Sequence, residues 1–508
     1  MHRSVNFDAF LEKIGGFGRF QKRAITSLFL SQCFLAFSNF GFVFFGHVPE
    51  KFHCVNPDGS NRSIAQSGCV PGCSEYVSDD GYSSYAVDWG LVCSHTYMLR
   101  LSQVMHMAGL FIGAPSCGKL ADMYGRLKIL YINLAMLSIL SFAVAFAPGI
   151  YAFCLLTFLQ GIACQGCGLT SYTVILESFG AKYRALGGIL EQIFYAVGIA
   201  TTALLAYYLS NWRHLAALLA AFGPLSLILM LPFHIESPRW LLTKPHRRQD
   251  ALINLAYMAR VNGHLDGLSS PDAISRLNSL LDSESSSEIS RHPSRRSSIS
   301  QGSQSASDDS DSTPLVGASC DAVPSHIANE GTLTLLRHPL LRWWTLIFCL
   351  CWFSNASAYY GSTIGSGEAF KDRFLSFGLS GLVEVPGHCL SPWLMNKYGR
   401  RRFHAYLQLA GGLLFCLVAL LGYWSDVIAM TILTLAKLCI SMSFASAYVF
   451  SSEVYPTSII NLAIGICVTS GRLGGTIAPA ILAMVSATVY FSRIHAYTFF
   501  LVGKRYAV

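Results

Sequence analysis

The sequence predicts an all-α integral membrane protein built from two six-helix bundles, and three observations carry that prediction. Of its 508 residues, 52% are hydrophobic and only 13% charged, with a mean hydropathy of +0.44. Soluble globules do not have this composition. Apolar runs of about 20 residues, the length that crosses a bilayer, begin near Thr26, Tyr97, Ile129, Tyr151, Leu186, Leu215, Trp344, Phe374, Ala405, Val427 and Leu462. Finally, the polar turn "GKLADMYGRLKIL" at 118–130 returns as "PWLMNKYGRRRFH" at 392–404.

The repeat fixes the domain organisation. Gly125 and Gly399 are offset by 274 residues, and Glu177 of "ESFGAKYR" and Glu453 of "SEVYPTSI" by 276. Two independent landmarks thus give one period. The expected units are an N-terminus at 1–23, a first bundle at 24–234, a linker at 235–342 and a second bundle at 343–508. Such a parallel repeat is the organisation of a transporter with a central site at mid-membrane depth.

Orientation follows from Lys and Arg in short loops, which stay on the cytoplasmic side. Arg126 and Lys128, Lys182 and Arg184, Arg239 and Lys244, and Lys397 with Arg400 to Arg402 follow the even-numbered spans two to eight. Those loops and the N-terminus are therefore expected inside. The net charge of +8 serves topology and does not point to nucleic acid. No small-x-small cleavage site follows the first run directly, so that span reads as a retained anchor.

Two loops are long. The outer loop, 47–96, holds Cys54, Cys69, Cys73 and Cys93, an even set in an oxidising compartment that suggests two disulfides with three possible pairings. It also carries the sequon Asn61-Arg62-Ser63, a glycosylation candidate. Asn355-Ala356-Ser357 fits the same pattern but falls in a span. The cytoplasmic linker contains "RHPSRRSSISQGSQSASDDSDS", too poor in apolar residues to fold alone. Ser297 and Ser298 after two arginines are phosphorylation candidates there, with a plain linker as the alternative.

The repeated turn has chemistry as well as spacing. Gly118, Gly125 and Gly399 allow tight turns or close backbone approach. Arg126 and Arg400 can reach Glu177 and Glu453 at the inner ends of spans four and ten. Such pairs can latch one face shut in one state and release it in the other, or serve only as static bridges.

Together "GKLADMYGR", "LESFGAKYR", "ESPRWLL", "NKYGRRR" and "SSEVYPT…GRLGGTIAP" resemble the major facilitator superfamily. "DWGLVC" leading into "MAGLFIGA" after the cysteine-bearing loop narrows the resemblance to its organic cation, carnitine and organic anion transporters. It runs from about residue 20 to residue 482, outside the Ser-rich insert. The resemblance implies facilitated or ion-coupled movement of small organic ions at the plasma membrane, with no covalent chemistry and no cofactor; sodium, protons, exchange and membrane potential are all open as the driving force. An enzyme is not expected. Gly113 to Leu120 approaches a phosphate-binding loop, but Leu120 stands where a magnesium-binding hydroxyl is required. Cys164 and Cys167 have redox spacing inside an apolar span, where cysteines pack.

Charges at mid-membrane are functional candidates by default. Glu384 of "GLVEVPGH" resembles the acidic position of the cation and carnitine branches. Arg472 of "TSGRLGG" stands where cation carriers place an aspartate and anion and carnitine carriers an arginine. Either the two pair with each other, or they face one cavity and hold the two ends of a zwitterion. His388, one turn beyond Glu384, lies near a lysine of the anion carriers and keeps that reading open. Tyr359 and Tyr360 resemble a family aromatic pair able to face a cation. Gln192 and Asn39 can donate hydrogen bonds.

The second copy departs from the first. Asn396 replaces Asp122, and Ile460 stands where an equivalent of Arg184 is expected. The last stretch offers at most a short segment from Val489 to Val502 as a twelfth span. A transporter of cations or zwitterions, an organic anion transporter, a sugar transporter and a non-transporting receptor-like protein all remain open on the sequence.

Overall fold

A computed structural model describes residues 11–263, 275 and 339–484, apart from positions 13, 243 and 245 and short stretches at 50–51, 56–60, 64–74, 79–80, 93–94, 233–234, 369–371, 422–425 and 456–459. Among the described residues, eleven helical rods succeed one another. They are α1 (Arg19–Phe45), α2 (Tyr97–Tyr124), α3 (Arg126–Ala145), α4 (Ile150–Ser178), α5 (Arg184–Tyr208) and α6 (Trp212–Met230). The second set is α7 (Pro339–Glu368), α8 (Arg373–Leu382 continuing as Glu384–Tyr398), α9 (Arg400–Leu421), α10 (Asp426–Val454) and α11 (Ile460–Met484). Six of them, α1, α3, α4, α5, α6 and α10, are long and apolar enough to cross a membrane. Others carry polar residues on buried faces, such as Ser102, Gln103 and His106 on α2 and Ser354 and Asn355 on α7. Polar residues turned toward protein, away from lipid, are the pattern of helices around a central path.

The repeat read from the turns is present in the packing. In the first half α1 lies on α5, α2 on α4 and α3 on α4. In the second half α7 lies on α11, α8 on α10 and α9 on α10, the same arrangement. Close backbone approach makes the α2–α4 contact possible: a Cβ on Gly161 would lie 2.2 Å from the His106 carbonyl oxygen. Small residues at such crossings let dispersion replace the hydrophobic drive that lipid cannot supply. The halves meet where α2 packs on α11, α5 on α8 and the last turn of α1 on α7.

Between α1 and α2 a small antiparallel sheet forms, ordered β2-β1-β3, from β1 (Phe52–Val55), β2 (Asn61–Ser63) and β3 (Glu75–Ser78). At this sheet end of the bundle the halves are joined by aromatic rings. Phe44 stacks on Phe374 at 5.6 Å and meets Phe377 edge-on at 5.1 Å. The Arg373 guanidinium lies 4.2 Å from the Tyr82 ring and 4.7 Å from that of Phe374. Burial, with Arg373 beside it, pushes His47 down to about 3, so it stays neutral at physiological pH.

At the opposite, linker end, helices Pro238–Leu242 and Arg248–Val261 cover the first half. The linker expected at 235–342 is therefore folded in its first part. Cys54 and Asn61 sit on β1 and β2, with side chains outside the described residues. Cys69, Cys73, Cys93, Ser297, Ser298 and the segment Val489 to Val502 also lie outside them.

A candidate substrate site between the two halves

The centre of the second half is built from α7, α8 and α10. Glu384 opens the second segment of α8 and is 1% exposed. Lys437 of α10 stands 3.0 Å from its Oε1 atom, and the Tyr359 hydroxyl donates to Oε2 at 3.1 Å. His388, one turn along α8, places Nε2 3.8 Å from the same Oε2. Lys437 also donates to Ser380 Oγ at 2.6 Å and lies 5.1 Å from the Tyr359 ring. Of the two expected arrangements, a direct Glu384–Arg472 pair is not formed: the cation beside Glu384 is Lys437. Glu384 has its own cation, and a carboxylate neutralised at 3.0 Å holds less charge for a substrate.

Arg472, at the middle of α11, is half-buried and donates from Nη1 to the Tyr360 hydroxyl at 2.6 Å. Among the described residues no carboxylate pairs with it. Adjacent tyrosines therefore serve two charges, Tyr359 the Glu384 carboxylate and Tyr360 the Arg472 guanidinium, with their rings 5.5 Å apart and edge-on.

The facing wall comes from the first half. Asn39 of α1 donates to the Tyr195 hydroxyl at 3.0 Å, and its Oδ1 lies 3.1 Å from His106 Nε2. Nδ1 of that histidine meets the Thr157 carbonyl at 3.1 Å. Gln192 is half-buried on α5. Phe40 links the walls, its ring 5.9 Å from Tyr360 and 6.0 Å from Phe377. Beside this wall a cavity of about 20 Å³, lined by Phe34, Ser102, His106 and Gln160 among others, has room for one water.

A second constellation occupies the linker end. Gly125 adopts φ +115°, which ends α2 and turns the chain into α3. Arg126 then lies 2.9 Å from Asp122 and 3.3 Å from Glu177 on α4. Glu236 of "ESPRWLL" caps α3, its Oε1 accepting from the backbone N–H groups of Arg126 at 3.0 Å and Leu127 at 3.2 Å. Trp240 Nε1 donates to the Asp122 carbonyl at 3.0 Å. Arg184 Nε donates to the Leu176 carbonyl at 2.9 Å, satisfying the end of α4. Gly118 faces Leu169 of α4. In the second copy Gly399 has φ +81° and Arg400 donates to Asn396 at 3.1 Å, while the Glu453 side chain lies outside the described residues. Replacing Glu236 by alanine should remove the α3 cap and lower stability by about 1 kcal/mol, read as a fall in Tm of the detergent-purified protein.

Lys437, Glu236, His106 and Glu191 are absent from the residues singled out in the sequence. Lys437 and Glu191 each stand inside or beside an apolar run, the signal that identifies Glu384. Glu236 belongs to a quoted motif, yet its partner is a helix start 110 residues earlier.

Residues 81–479 match the Major Facilitator Superfamily. A Solute carrier family 22 member 15-like protein of Xenopus laevis is 30% identical, with 94% of this chain and 88% of that protein covered. Organic cation/carnitine transporter 4 of Arabidopsis thaliana is 27% identical over 92% of this chain and 82% of its own length. Among solved structures, the E. coli xylose transporter in a partially occluded inward-open conformation superimposes with a TM-score of 0.62. That likeness covers 96% of this chain and 99% of the transporter at 12% identity, and it speaks for the fold alone. The chain belongs to the Major Facilitator Superfamily and, within it, to solute carrier family 22.

Proposed function

We propose that this protein moves small organic ions across the plasma membrane by alternating access, and that Arg472 anchors a substrate carboxylate. One observation carries the reading: a guanidinium at the centre of the bundle, half-buried, has a tyrosine hydroxyl but no acidic partner among the described residues. A buried charge without a counter-charge costs free energy that a ligand of opposite sign recovers. The printed name of the Arabidopsis relative includes carnitine, which has a carboxylate as well as a quaternary ammonium. In this reading the sheet end is extracellular and the Arg126 constellation lies at the cytoplasmic face, where Arg126 to Glu177 acts as a releasable latch.

A second reading, organic anion transport, is favoured by the neutralisation of Glu384 by Lys437. Uptake by cells expressing the full chain, measured in parallel for carnitine, tetraethylammonium and a dicarboxylate, separates the two. Carnitine should be taken up saturably and preferred. Preference for the dicarboxylate would establish the anion reading, and preference for tetraethylammonium would remove Arg472 as anchor.

A further inference from the structure

The ionisable groups of the core do not all pair, and two are left over, one basic and one acidic. Glu384 and Lys437 neutralise each other at 3.0 Å. Arg472 has no acidic partner among the described residues. Glu191 of α5 is its counterpart in the first half: 4% exposed, with no lysine, arginine or histidine pairing with it among the described residues. Its Oε1 accepts hydrogen bonds from Gln32 Nε2 of α1 and, at 2.7 Å, from Ser171 Oγ of α4. Among the described residues, Oε2 is buried with no hydrogen-bond partner. Two neutral donors thus orient the carboxylate and leave one oxygen, with its lone pairs, unused.

Placement ties the two charges to one space. Glu191 and Tyr195 are one turn apart on the same face of α5, and the Tyr195 ring packs on Phe40, whose ring in turn lies 5.9 Å from Tyr360, the hydrogen-bond partner of Arg472. Tyr172 of α4 packs beside Gly188, about one turn before Glu191 on α5. The Tyr448 ring of α10 stands 5.6 Å from that of Tyr172, so this tyrosine pair spans the two halves. Aromatic faces beside a carboxylate suit an organic ammonium.

We propose that Glu191 is the ammonium-binding carboxylate of the central site, and that with Arg472 it clamps an organic zwitterion between the two halves. The inference rests on the transport reading and deepens it by naming the substrate class. A carboxylate from one half and a guanidinium from the other are each completed by opposite ends of one molecule. Binding therefore stabilises the conformation in which the halves approach, which gives the substrate a differential interaction with the states of the cycle.

The test compares wild type with Glu191→Gln and Glu191→Asp, using initial-rate uptake of carnitine, tetraethylammonium and a dicarboxylate, normalised to surface protein. Glu191→Gln should raise the KM for carnitine about tenfold or more, the worth of one charge-assisted contact, while dicarboxylate uptake is retained or increased. Glu191→Asp should recover part of the carnitine uptake. The Tm of detergent-purified Glu191→Gln should equal or exceed that of wild type, because a lone buried carboxylate is removed. Carnitine uptake with an unchanged KM, equal loss of all three probes, or a fall in Tm would overturn the proposal. Wild-type uptake of the dicarboxylate alone would overturn it while leaving organic-ion transport standing. Wild type carrying none of the three would overturn the transport reading and this inference with it.

Discussion

Replacing Lys437 by alanine should destabilise the second half by about 3–5 kcal/mol, because Glu384 is then left charged in a site 1% exposed. The Tyr359 hydroxyl at 3.1 Å remains as a donor, and His388 at 3.8 Å is too distant for a good hydrogen bond. Neither restores an ion pair at the 3.0 Å of the Lys437 contact. Glu384→Gln alone should also destabilise, since Lys437 keeps only the Ser380 hydroxyl. The double variant Glu384→Gln/Lys437→Gln should recover much of the loss, because two neutral amides need no counter-charge. Thermal unfolding in detergent and surface expression read all three. Two single variants and a double variant that all unfold at the wild-type temperature would show that the pair contributes nothing. Uptake adds a further distinction. If Glu384 serves to hold α8 against α10, the rescued double variant should transport as well as fold. If Glu384 touches substrate, the double variant should fold and fail to transport.

The membrane architecture was legible because a bilayer imposes a length, and apolar runs of that length declare themselves. The structure extends several of them into polar flanks: α1 begins at Arg19 where the apolar run begins near Thr26, and α7 at Pro339 where it begins near Trp344. Helices continue past the hydrocarbon boundary because their backbone hydrogen bonds are still satisfied in water, so hydropathy underestimates their length. The turn between α2 and α3 was legible from two glycines and a charge pattern, and Gly125 and Gly399 both adopt positive φ. Partners across helices were not legible. Glu384 meets Lys437, and Arg126 meets Glu236 through its backbone, by tertiary approach that spacing along the chain does not encode. Lys437 was hidden because one lysine in "TILTLAKLCI" leaves the window apolar, although the cost of a lone charge there is the same as for Glu384. Glu191 was hidden near the start of α5, where a charge reads as the flank of a loop. Side-chain burial, absent from any hydropathy sum, separates a flank from a site.

Arg472→Ala should lower kcat/KM for carboxylate-bearing substrates by about one to two orders of magnitude, the loss expected for charge-assisted hydrogen bonds from a guanidinium. Tyr360 at 2.6 Å holds one nitrogen of Arg472, which orients the planar fork while leaving its other donors for a ligand. Arg472→Lys should retain only part of the activity, since an ammonium keeps the charge but cannot grip a carboxylate through two parallel bonds. A quaternary ammonium without a carboxylate provides the opposite sign. Removing Arg472 takes a positive charge from the centre of the bundle, so uptake of tetraethylammonium should hold steady or rise while carnitine uptake falls. A variant that simply misfolds loses both, and surface labelling shows it directly. Equal loss of both probes at normal surface abundance would mean that Arg472 supports the α7–α11 contact through Tyr360 and does not meet the substrate. The ratio between the two probes, more than either rate, decides whether the central cation of this bundle is an anchor or a strut.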